Sequence, residues 1–461
     1  MSRLYNSFVQ NFVLPTYDFV TGTSRFRYIR SLQKTQWFSR KEIRRFQTKS
    51  LQALLNHSYD TVPYYRRIFK EARLSPSDIK SETELQKLPI LTKAIIRENF
   101  NDLISRDFPR AKLIPYETGG TGSPMKFYNT KEKVSWELAS EFRMFSWAGY
   151  RFGDRCFMVW GSPADLSRSR GFVARFTRSL ERITLVDSYV MSDAVLSRYY
   201  RLLQKIKPEI IRGYSTPIYM MAKLLLAKGL SDIRPKAVIT SAETLLYSRR
   251  KIIESAFGCP VFDYYGSREI SAIAAECEEH EGYHVSAENL AMEFTRNGEQ
   301  VSSGEDGVIL LTSLRNYGMP FIRYEIGDVG RSSDEACSCG RGLPLISSIE
   351  GRISEFMAVY DKQSGRVVPV SPAGPGVIGV ALQHVPLESY RIVQESLDRV
   401  VVKAVKGKGY SQQHTDFLIS YVRKYLGDSV QIEVEFVNFL PPLPSGKRSV
   451  FVSKINPFER Q

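Results

Sequence analysis

The N-terminal part of the chain carries apolar side chains at helical spacing. Beyond residue 40 they recur every three to four positions, as Ile43, Phe46, Leu51, Leu54 and Leu55. This is the period of an amphipathic helix that packs one face on a core. Pro63 interrupts the pattern, which resumes at Ile68. Residues 1–100 are therefore predicted to form a helical, basic preface that packs on the main domain.

Downstream, short apolar runs alternate with stretches of helical period. The apolar runs are predicted strands, at 155–160, 183–186, 210–211, 236–240 and 261–265. Predicted helices lie between them, at 133–145, 195–206, 217–227 and 246–257. Alternation of strands and helices is typical of an α/β layered domain with largely parallel strands. We predict such a main domain over residues 101–350.

The pattern changes again towards the C-terminus. From about residue 271 the apolar runs become shorter and glycine turns more frequent, which predicts a β-rich subdomain over 271–350. After Gly351, a strand at 400–405, a helix at 412–425 and a strand at 431–439 predict a small α+β domain over 351–461. The predicted fold class is thus α/β, with a large N-terminal layered domain and a small C-terminal domain.

The net charge of +15 is concentrated near the N-terminus. Residues 1–60 hold ten Lys and Arg side chains against Asp18, Glu42 and Asp60, an excess of seven positive charges. The same arm is rich in Phe, Tyr and Trp, and a basic, aromatic segment can lie on an anionic membrane or an acidic polymer. Alternatively, it is a helical arm that packs on the body and leaves its arginines solvated. No nucleic-acid-binding signature accompanies the charge, so nucleic acid is not an expected partner.

Cysteine usage and hydropathy indicate the cellular compartment and whether a transmembrane helix is expected. The five cysteines are an odd number, and no secretory leader precedes them. Reduced thiols and a cytoplasmic protein are expected, with peripheral contact at the inner face of the membrane if the basic arm docks there. The longest apolar tract, 367–385, is interrupted by Pro369, Pro372 and Pro375, so no transmembrane helix is predicted.

Two distant segments point to phosphate chemistry. Thr118-Gly119-Gly120-Thr121-Gly122-Ser123-Pro124 is a loop whose backbone N–H groups and hydroxyls can surround phosphates. It lacks the Gly-Lys-Ser/Thr ending of a nucleotide-hydrolase P-loop, and alone it is also typical of a surface turn. Lys447 stands in a second, Pro/Gly-containing turn, Leu443-Pro444-Ser445-Gly446-Lys447-Arg448, where a lysine is a ready phosphate ligand. Together the two segments indicate ATP chemistry.

Two further motifs end predicted strands with acidic side chains. Asp263-Tyr264-Tyr265-Gly266-Ser267-Arg268-Glu269 joins aromatic residues, which can cover a purine base, to a carboxylate that can hold Mg²⁺. The segment 321–328 places Asp328 directly after a glycine, where a carboxylate can accept hydrogen bonds from both hydroxyls of a ribose. Taken singly, each motif is also consistent with core aromatics and surface charge.

The order and spacing of these motifs resemble the adenylate-forming superfamily of acyl-CoA synthetases and adenylation domains. Within it the chain is most similar to the phenylacetate–CoA ligase branch and its relatives named for capsular polysaccharide biosynthesis. The resemblance covers about residues 40–455, including Val62-Pro63-Tyr64-Tyr65 and Leu88-Pro89-Ile90-Leu91-Thr92-Lys93. It implies a large ATP-binding domain followed by a small mobile domain.

The resemblance also implies a role for each motif. The phosphates of ATP would be bound by the loop residues Thr118, Gly119, Gly120, Thr121 and Gly122. The adenine would be bordered by Ser241, Ala242, Glu243, Tyr264, Tyr265 and Gly266. Glu269 would hold Mg²⁺, Asp328 would hold the ribose and Arg352 would start the interdomain hinge. Lys447 would be the mobile catalytic lysine, and Gly213 and Tyr214 would lie near the acyl pocket.

Cysteines and histidines form a second candidate site, which could bind a metal ion. A tetrahedral Zn²⁺ site can be built from Cys277, His284, Cys337 and Cys339, with His280 as a substitute for His284. Some members of the resembled family have a comparable site. Four protein ligands leave no open position, so the zinc would be structural and would brace the β-rich subdomain. Reduced cysteines without a metal are the alternative, because the spacing is not a standard finger pattern.

The predicted function is an ATP-dependent carboxylate-activating ligase. It would form an acyl-AMP and pyrophosphate, and then transfer the acyl group to CoA or to an amine such as an amino sugar, in surface or capsular polysaccharide biosynthesis. Residues 360–366 are not the glycine loop that usually borders a CoA tunnel, which favours adenylation over CoA transfer. The alternative is a non-enzymatic adenylation-fold protein that docks on membrane or polyanion through its basic arm. Gly120 and Ser123, where Thr or Ser and Lys are more usual, favour that alternative.

Overall fold

The computed structural model describes residues 2–118, 125–161, 172–188, 191–361, 366–370, 385–427, 430–441, 450–455 and 457–458. The chain forms two compact units. Unit 1 comprises Met1–Glu293, Leu310–Ile326 and Ser332–Ser348, and unit 2 comprises Phe294–Ile309, Gly327–Arg331 and Ile349–Gln461. The division into a preface, a main domain and a C-terminal domain at 100 and 350 stays a prediction. Within the described ranges, no helix combines the length and the apolar character that a bilayer crossing requires.

The N-terminal region of unit 1 is helical. Its helices are α1 Ser2–Phe8, a π-helical turn Val9–Val13, α2 Leu14–Thr21, α3 Arg25–Thr35, α4 Arg40–Thr61, α5 Pro63–Glu71 and α6 Lys93–Glu98. A capping box starts α4, in which Ser39 and Glu42 each accept a hydrogen bond from the other's backbone N–H. Pro63 opens α5, at a position where its missing N–H costs no helical hydrogen bond. The predicted apolar face of α4 is buried at Ile43, Leu51, Leu54 and Leu55.

A parallel sheet forms the centre of unit 1. A hairpin precedes it, in which β1 Ile114–Glu117 pairs antiparallel with β2 Lys126–Asn129. The sheet strands that follow are β3 Cys156–Val159, β4 Ile183–Val186, β5 Ile210–Tyr214, β6 Ala237–Ser241, β7 Val261–Gly266, β8 Ala272–Glu276 and β9 Tyr283–Val285. The order is β4-β3-β5-β6-β7 in parallel, and β8 and β9 continue it antiparallel. The predicted α/β fold class is confirmed.

Helices cover both faces of this sheet. They are α7 Lys131–Trp147, α8 Phe172–Leu180, α9 Asp193–Ile206, α10 Ser215–Ala227 and α11 Tyr247–Phe257. Successive strand residues point to opposite faces. Ile210 lies in one core with Trp136 of α7, whereas Ile211 lies in another with Leu196 of α9 and Ile218 of α10. Burial on both faces explains why these strands are continuous apolar runs in the sequence.

Further strands follow in the region predicted to be β-rich, and apart from the two-residue β11 they are longer than β3 to β7, not shorter as the sequence pattern suggested. These strands are β10 Leu290–Arg296, β11 Glu299–Gln300, β12 Asp306–Ser313, β13 Tyr324–Ser333 and β14 Leu345–Arg352. The boundary between the two units falls within β10, β12, β13 and β14. The chain therefore passes between the two units several times before residue 350.

The C-terminal part of unit 2 is a small α+β layer. β15 Met357–Asp361 pairs with β16 Arg366–Val370. A separate four-stranded sheet has the order β19-β18-β17-β20 and is formed by β17 Leu387–Ser396, β18 Arg399–Lys406, β19 Gln431–Phe436 and β20 Phe451–Ser453. α12 Gln412–Leu426 covers this sheet, with Leu418 and Val422 in one core with Ile392 and Val402. The predicted strand, helix and strand are thus β18, α12 and β19.

Candidate functional site

Three of the predicted site segments meet at one edge of the parallel sheet. β5 ends in Gly213 and Tyr214, β6 ends in Ser241, and β7 ends in Tyr264, Tyr265 and Gly266. In the strand register Tyr214 lies beside Ser241, which lies beside Tyr264. Ligands of open α/β sheets bind outside the carboxyl ends of the strands. The segments predicted to border the adenine and the acyl group are therefore neighbours where such a sheet binds ligands.

Backbone geometry at this edge leaves little choice of residue. A Cβ at Gly213 would lie 2.2 Å from the Val159 carbonyl oxygen, so only glycine lets β5 run this close to β3. Ala242 has φ +70°, in the left-handed region that residues with a side chain rarely adopt. Glu243 accepts a 2.7 Å hydrogen bond from the Thr216 backbone N–H, which ties this turn to α10. Strained turns held by their surroundings cluster at functional sites.

The aromatic residues at this edge of the sheet differ in their solvent exposure. Tyr264 is buried, its ring centre lies 5.2 Å from that of Phe145, and its hydroxyl donates to the Ser271 carbonyl at 2.9 Å. Tyr265, by contrast, is half-buried. Tyr214 packs edge-to-face on Trp160, with ring centres 4.8 Å apart. Of the two tyrosines predicted to border the adenine, Tyr265 is the one with a surface left for a base.

Glu269 lies in the turn after β7 and is almost fully buried. Its carboxylate Oε1 accepts a 2.8 Å hydrogen bond from the Tyr324 hydroxyl and lies 3.9 Å from the Lys93 ammonium. Its backbone carbonyl accepts from Lys133 Nζ at 2.9 Å, and Lys133 also pairs with Glu137 at 2.6 Å. A buried carboxylate requires such compensation, because burial without a partner strongly disfavours the charged form. The predicted Mg²⁺ ligand is thus a fixed, charge-compensated carboxylate.

Two neighbours of Glu269 were not predicted as site residues. Tyr324 starts β13, and the segment with Lys93 is tied to that strand through Leu91. The Leu91 N–H donates to the Arg323 carbonyl at 2.9 Å, and the Leu91 carbonyl accepts from the Glu325 N–H at 3.0 Å. Both lie within stretches that carried the resemblance, 88–93 and 321–328, but their meeting at Glu269 is a long-range contact. Local sequence patterns hold no signal for it.

The base of the glycine loop lies next to the Glu269 turn. Thr118 closes the loop, since its N–H donates to the Met125 carbonyl at 2.9 Å and its hydroxyl accepts from the Met125 N–H at 3.0 Å. Arg268 reaches the same hairpin and donates to the Glu117 carbonyl at 3.5 Å. The predicted phosphate ligands Gly119, Gly120, Thr121 and Gly122 lie outside the described residues, as does Lys447. Of these motifs, the structure therefore describes only the stem of the loop.

Two predicted site residues of unit 2 contact each other. Arg352 Nε lies 2.9 Å from Asp328 Oδ1, and the Asp328 side chain is nearly buried. Gly327, directly before Asp328, has φ +87°, and a Cβ there would lie 3.6 Å from an Arg352 guanidinium nitrogen. Arg352 N–H also donates to the Glu355 carboxylate at 3.1 Å, at the end of β14. The predicted ribose ligand and the predicted hinge arginine are thus one ion pair.

The four predicted zinc ligands are clustered in unit 1. The ligand atoms of Cys277, His284, Cys337 and Cys339 all lie within 4.8 Å of one another. The Cys277 and Cys337 sulfurs are 3.6 Å apart, and Cys339 Sγ is 3.3 Å from His284 Nε2. A tetrahedral zinc with ordinary bond lengths would place two sulfurs about 3.8 Å apart and a sulfur and a nitrogen about 3.6 Å apart. The donor set and its spacing fit that ion.

Burial affects the protonation of the histidine and of the thiols in the cluster in different ways. Burial, followed by the charge of Arg341, lowers the pKa of His284 to about 4, so the imidazole is neutral at pH 7 as a metal ligand must be. Burial raises the pKa of the Cys277 and Cys337 thiols, which a bound cation would reverse. His280 lies elsewhere, with Nδ1 3.3 Å from the Glu276 carboxylate. Of the two histidines, His284 is the one in the cluster.

Comparison with known proteins identifies a matching family model and several homologues. A family model described as the CapK C-terminal domain matches residues 378–454. Protein CapK of Staphylococcus aureus is 26% identical over 424 residues, which cover 89% of each chain. A phenylacetate-coenzyme A ligase of Thermus thermophilus is 26% identical over 375 residues, covering 79% of this chain and 81% of that protein. The resemblance inferred from the motifs is confirmed, since both kinds of protein are homologues.

Solved structures establish the fold. A 2-hydroxyisobutyryl-CoA ligase in the postadenylation state, in complex with R3-HIB-AMP, matches with a TM-score of 0.68 at 21% identity, over 88% of this chain and 89% of that one. The amide bond synthetase McbA of Marinactinospora thermotolerans matches with a TM-score of 0.51 at 17% identity, over 74% of this chain and 68% of that one. The fold is therefore shared with a CoA ligase and with an amide-forming enzyme.

Proposed function

We propose that this homologue of CapK and of the phenylacetate–CoA ligases is an ATP-dependent carboxylate-activating ligase. The observation that carries the proposal is the buried Glu269 carboxylate, held by the Tyr324 hydroxyl at 2.8 Å beside the carboxyl edge of the parallel sheet. A buried carboxylate with a tyrosine hydroxyl, one buried lysine and one half-buried lysine beside it is typical of a functional site. The paired Asp328 and Arg352 of unit 2 are a second fixed polar group at predicted nucleotide-binding positions.

The reaction proceeds in two halves. A substrate carboxylate oxygen bonds to the α-phosphorus of ATP, the bond from that phosphorus to the β-phosphate oxygen breaks, and pyrophosphate leaves. A thiol or an amine then bonds to the acyl carbon, and AMP leaves. Because the transferring group is highly charged, catalysis depends on positioning it and on neutralising its oxygens.

The chain's own residues have separate tasks in the first half. The side chain of Tyr265 covers the base, and the hairpin stem at Thr118 and Met125 holds the loop that surrounds the phosphates. Asp328 accepts hydrogen bonds from the ribose hydroxyls and is oriented for this by Arg352. Glu269 would hold Mg²⁺, for which a carboxylate oxygen is a suitable hard ligand, and the ion would neutralise phosphate charge. Lys447 supplies a further cation at the carboxylate and the α-phosphate.

The acceptor is CoA or an amine. The solved relatives include a 2-hydroxyisobutyryl-CoA ligase in complex with 2-HIB-AMP and CoA and an amide bond synthetase, so the fold serves both outcomes. The kinship with CapK supports a carboxylate or amine used in capsule synthesis. To distinguish the two acceptors, CoA or an amino sugar is added to preformed acyl-AMP and the product is identified by mass spectrometry.

The first half-reaction gives the direct test. Pyrophosphate exchange into ATP is measured with aryl, fatty, amino and hydroxy acids in turn, and at least one class should support exchange. Glu269→Gln keeps the shape and removes the charge, so exchange should fall by about a hundredfold or more. Glu254→Gln, a surface carboxylate paired with Lys251, is the matched control and should leave exchange unchanged. If no acid supports exchange and calorimetry detects no Mg·ATP binding, the non-enzymatic alternative is correct.

We also infer that Cys277, His284, Cys337 and Cys339 hold a structural Zn²⁺. The support is the burial of Cys277, His284 and Cys337 together with the short S–S and S–N separations. With four protein ligands such a site has no position for substrate, so its chemistry is to cross-link the backbone segments that carry the ligands. Glu278 and Arg341 flank it as an ion pair with Nη1 3.0 Å from the carboxylate.

A further inference from the structure

The N-terminal helical run presents an apolar outer face. Leu4, Phe8, Phe12 and Phe19 are 79%, 54%, 65% and 89% exposed. Their spacing of four, four and seven residues aligns them along one side of the run from α1 to α2. The rings of Phe8 and Phe12 stack, with centres 5.8 Å apart. Grouped exposed apolar side chains of this size mark interaction surfaces, whereas single ones do not.

The opposite face of the same run is anchored to unit 1. Asn6 donates to the buried Asp154 carboxylate at 2.6 Å, and the Tyr5 hydroxyl donates to the Leu180 carbonyl at 2.8 Å. Val9 and Leu14 are buried in a core that also contains Trp136. The outer face is thus held in place by the body, rather than carried on a loose tail.

An arginine-lined cleft begins where this run meets the body. The cleft has a volume of about 670 Å³, and its described lining includes Arg155, Arg175, Arg178 and Arg182. One of them, Arg155, also lies 3.8 Å from the Glu209 carboxylate. Arg182 joins the cleft to the anchored side of the helical run, because its guanidinium lies 3.7 Å from the centre of the Tyr5 ring. Arginine presents a planar fork of donors that matches the oxygens of a phosphate. Four of them around one cleft favour an anionic, phosphate-bearing partner.

We propose that this aromatic face and this arginine cleft dock the protein on an anionic phospholipid membrane. Phenylalanine and leucine insert at the boundary between headgroups and acyl chains, while arginine binds headgroup phosphate. The exposed Arg27, Arg30 and Lys34 of α3 add to the attraction. A second copy of the chain is a poorer occupant, because two arms that each carry an excess of seven positive charges repel each other. The proposal does not depend on the ligase activity.

Point substitutions test the surface better than removal of the arm. The Thr35 hydroxyl donates to the buried Glu288 carboxylate at 2.5 Å, so deleting the arm would also damage the body. The full-length protein is sedimented with vesicles of phosphatidylglycerol and phosphatidylcholine in equal parts, and with phosphatidylcholine alone. We expect binding to the anionic vesicles, weakened by salt. Phe8→Ser with Phe12→Ser should lower the partition coefficient at least tenfold, because two aromatic side chains lose their burial.

The contribution of the cleft arginines to membrane binding is tested by a separate variant with its own controls. Arg175→Gln with Arg178→Gln should lower binding by more than about tenfold, because each basic residue near the surface contributes about fivefold. Lys228→Gln with Lys408→Gln removes the same charge elsewhere, and Phe417→Ser with Phe439→Ser removes two exposed rings from unit 2; both should bind as the wild type does. The proposal is overturned if the wild type does not bind anionic vesicles, or if only self-association, measured by sedimentation equilibrium, responds to Phe8→Ser with Phe12→Ser.

Discussion

At the scale of single residues, the Glu269 carboxylate depends on its neighbours. The fully buried Tyr324 donates to Glu269 Oε1 at 2.8 Å. We expect Tyr324→Phe to lower the free energy of unfolding by about 1–3 kcal/mol, the range for a hydrogen bond to a charged group, and pyrophosphate exchange by about tenfold. Tyr199→Phe removes an equally buried hydroxyl, which donates to the Asp187 carbonyl at 2.7 Å, and should affect stability alone. Unchanged exchange in Tyr324→Phe would contradict the positioning role.

Asp263, in the same motif, predicts a pH dependence of stability. Burial, followed by the charge of Glu276, raises its pKa from 3.8 to about 6. The folded protein therefore holds this proton more tightly than the unfolded chain, and the stability gained from it is lost as the pH rises through about 6. Asp263→Asn has no proton to lose. Relative to the wild type, its free energy of unfolding should increase by about 1–3 kcal/mol as the pH is raised from roughly 4 to 7. Urea unfolding at each pH measures this difference.

The control for this pH dependence is Asp416→Asn, an exposed carboxyl in α12. Its unfolding free energy should follow the wild-type pH profile. Parallel profiles for Asp263→Asn and the wild type would show that Asp263 does not change its protonation between the folded and unfolded chain in this range.

Local strand patterns account for the neighbouring positions at the sheet edge, and the roles of the site residues there stay predictions. Tyr214, Ser241 and Tyr264 lie side by side because they stand at the carboxyl ends of adjacent parallel strands. Each of these strands was predicted from an apolar run. Lys93 and Tyr324 were not predicted as neighbours of Glu269. They reach it through a parallel bridge between Leu91 and Tyr324, residues far apart in sequence, and neither helical nor strand periodicity records such a contact.

At the scale of elements, apolar runs identified the parallel strands but missed β17. This strand is central to the four-stranded sheet, and yet its buried face includes Gln394. The Gln394 amide accepts from the Ala358 N–H and donates to the Ala358 carbonyl, both at 2.8 Å, which makes its burial tolerable. A polar residue at a core position breaks the alternation by which a strand is predicted. Its compensation lies in another element and is invisible in the local sequence.

The cysteine cluster connects several elements of unit 1. Cys277 follows β8, His284 is in β9, and Cys337 and Cys339 precede β14. We expect about one zinc per chain in the purified protein, and substoichiometric zinc in Cys339→Ser. That variant should also lose more than about 2 kcal/mol of unfolding free energy, because loss of a structural metal is among the larger single-residue effects. Elemental analysis and urea unfolding measure both.

A matched thiol outside the cluster makes this test specific. Cys259→Ser removes a half-buried cysteine of the loop before β7, and should retain zinc. If the wild type, prepared without chelator, contains no zinc and Cys339→Ser unfolds at the same urea concentration, the cysteines are unliganded thiols, which was the alternative prediction.

At the scale of the whole molecule, the predicted site residues are distributed over the two compact units. Glu269 and the ends of β5, β6 and β7 belong to unit 1, whereas Asp328 and Arg352 belong to unit 2. The sequence indicated a small C-terminal layer with its strands and helix, but not that segments 294–309 and 327–331 share a unit with it. Those segments lie in β10 to β13, which pair with one another and with β14, and no local period records that part of a strand belongs to a different unit. Cutting the chain at Gly351 would therefore not separate the units.

This division bears on Lys447, whose role follows from the resemblance and remains a prediction. If it serves the first half-reaction only, Lys447→Ala should lower carboxylate-dependent pyrophosphate exchange by about a hundredfold, because a cation that stabilises developing charge contributes on that order. Transfer from preformed acyl-AMP to CoA or an amine should remain near the wild-type rate. Arg448→Ala, in the same turn, removes an equal charge and should spare both halves. An equal loss in the two half-reactions would instead make Lys447 a residue needed throughout, and full exchange would remove it from the site.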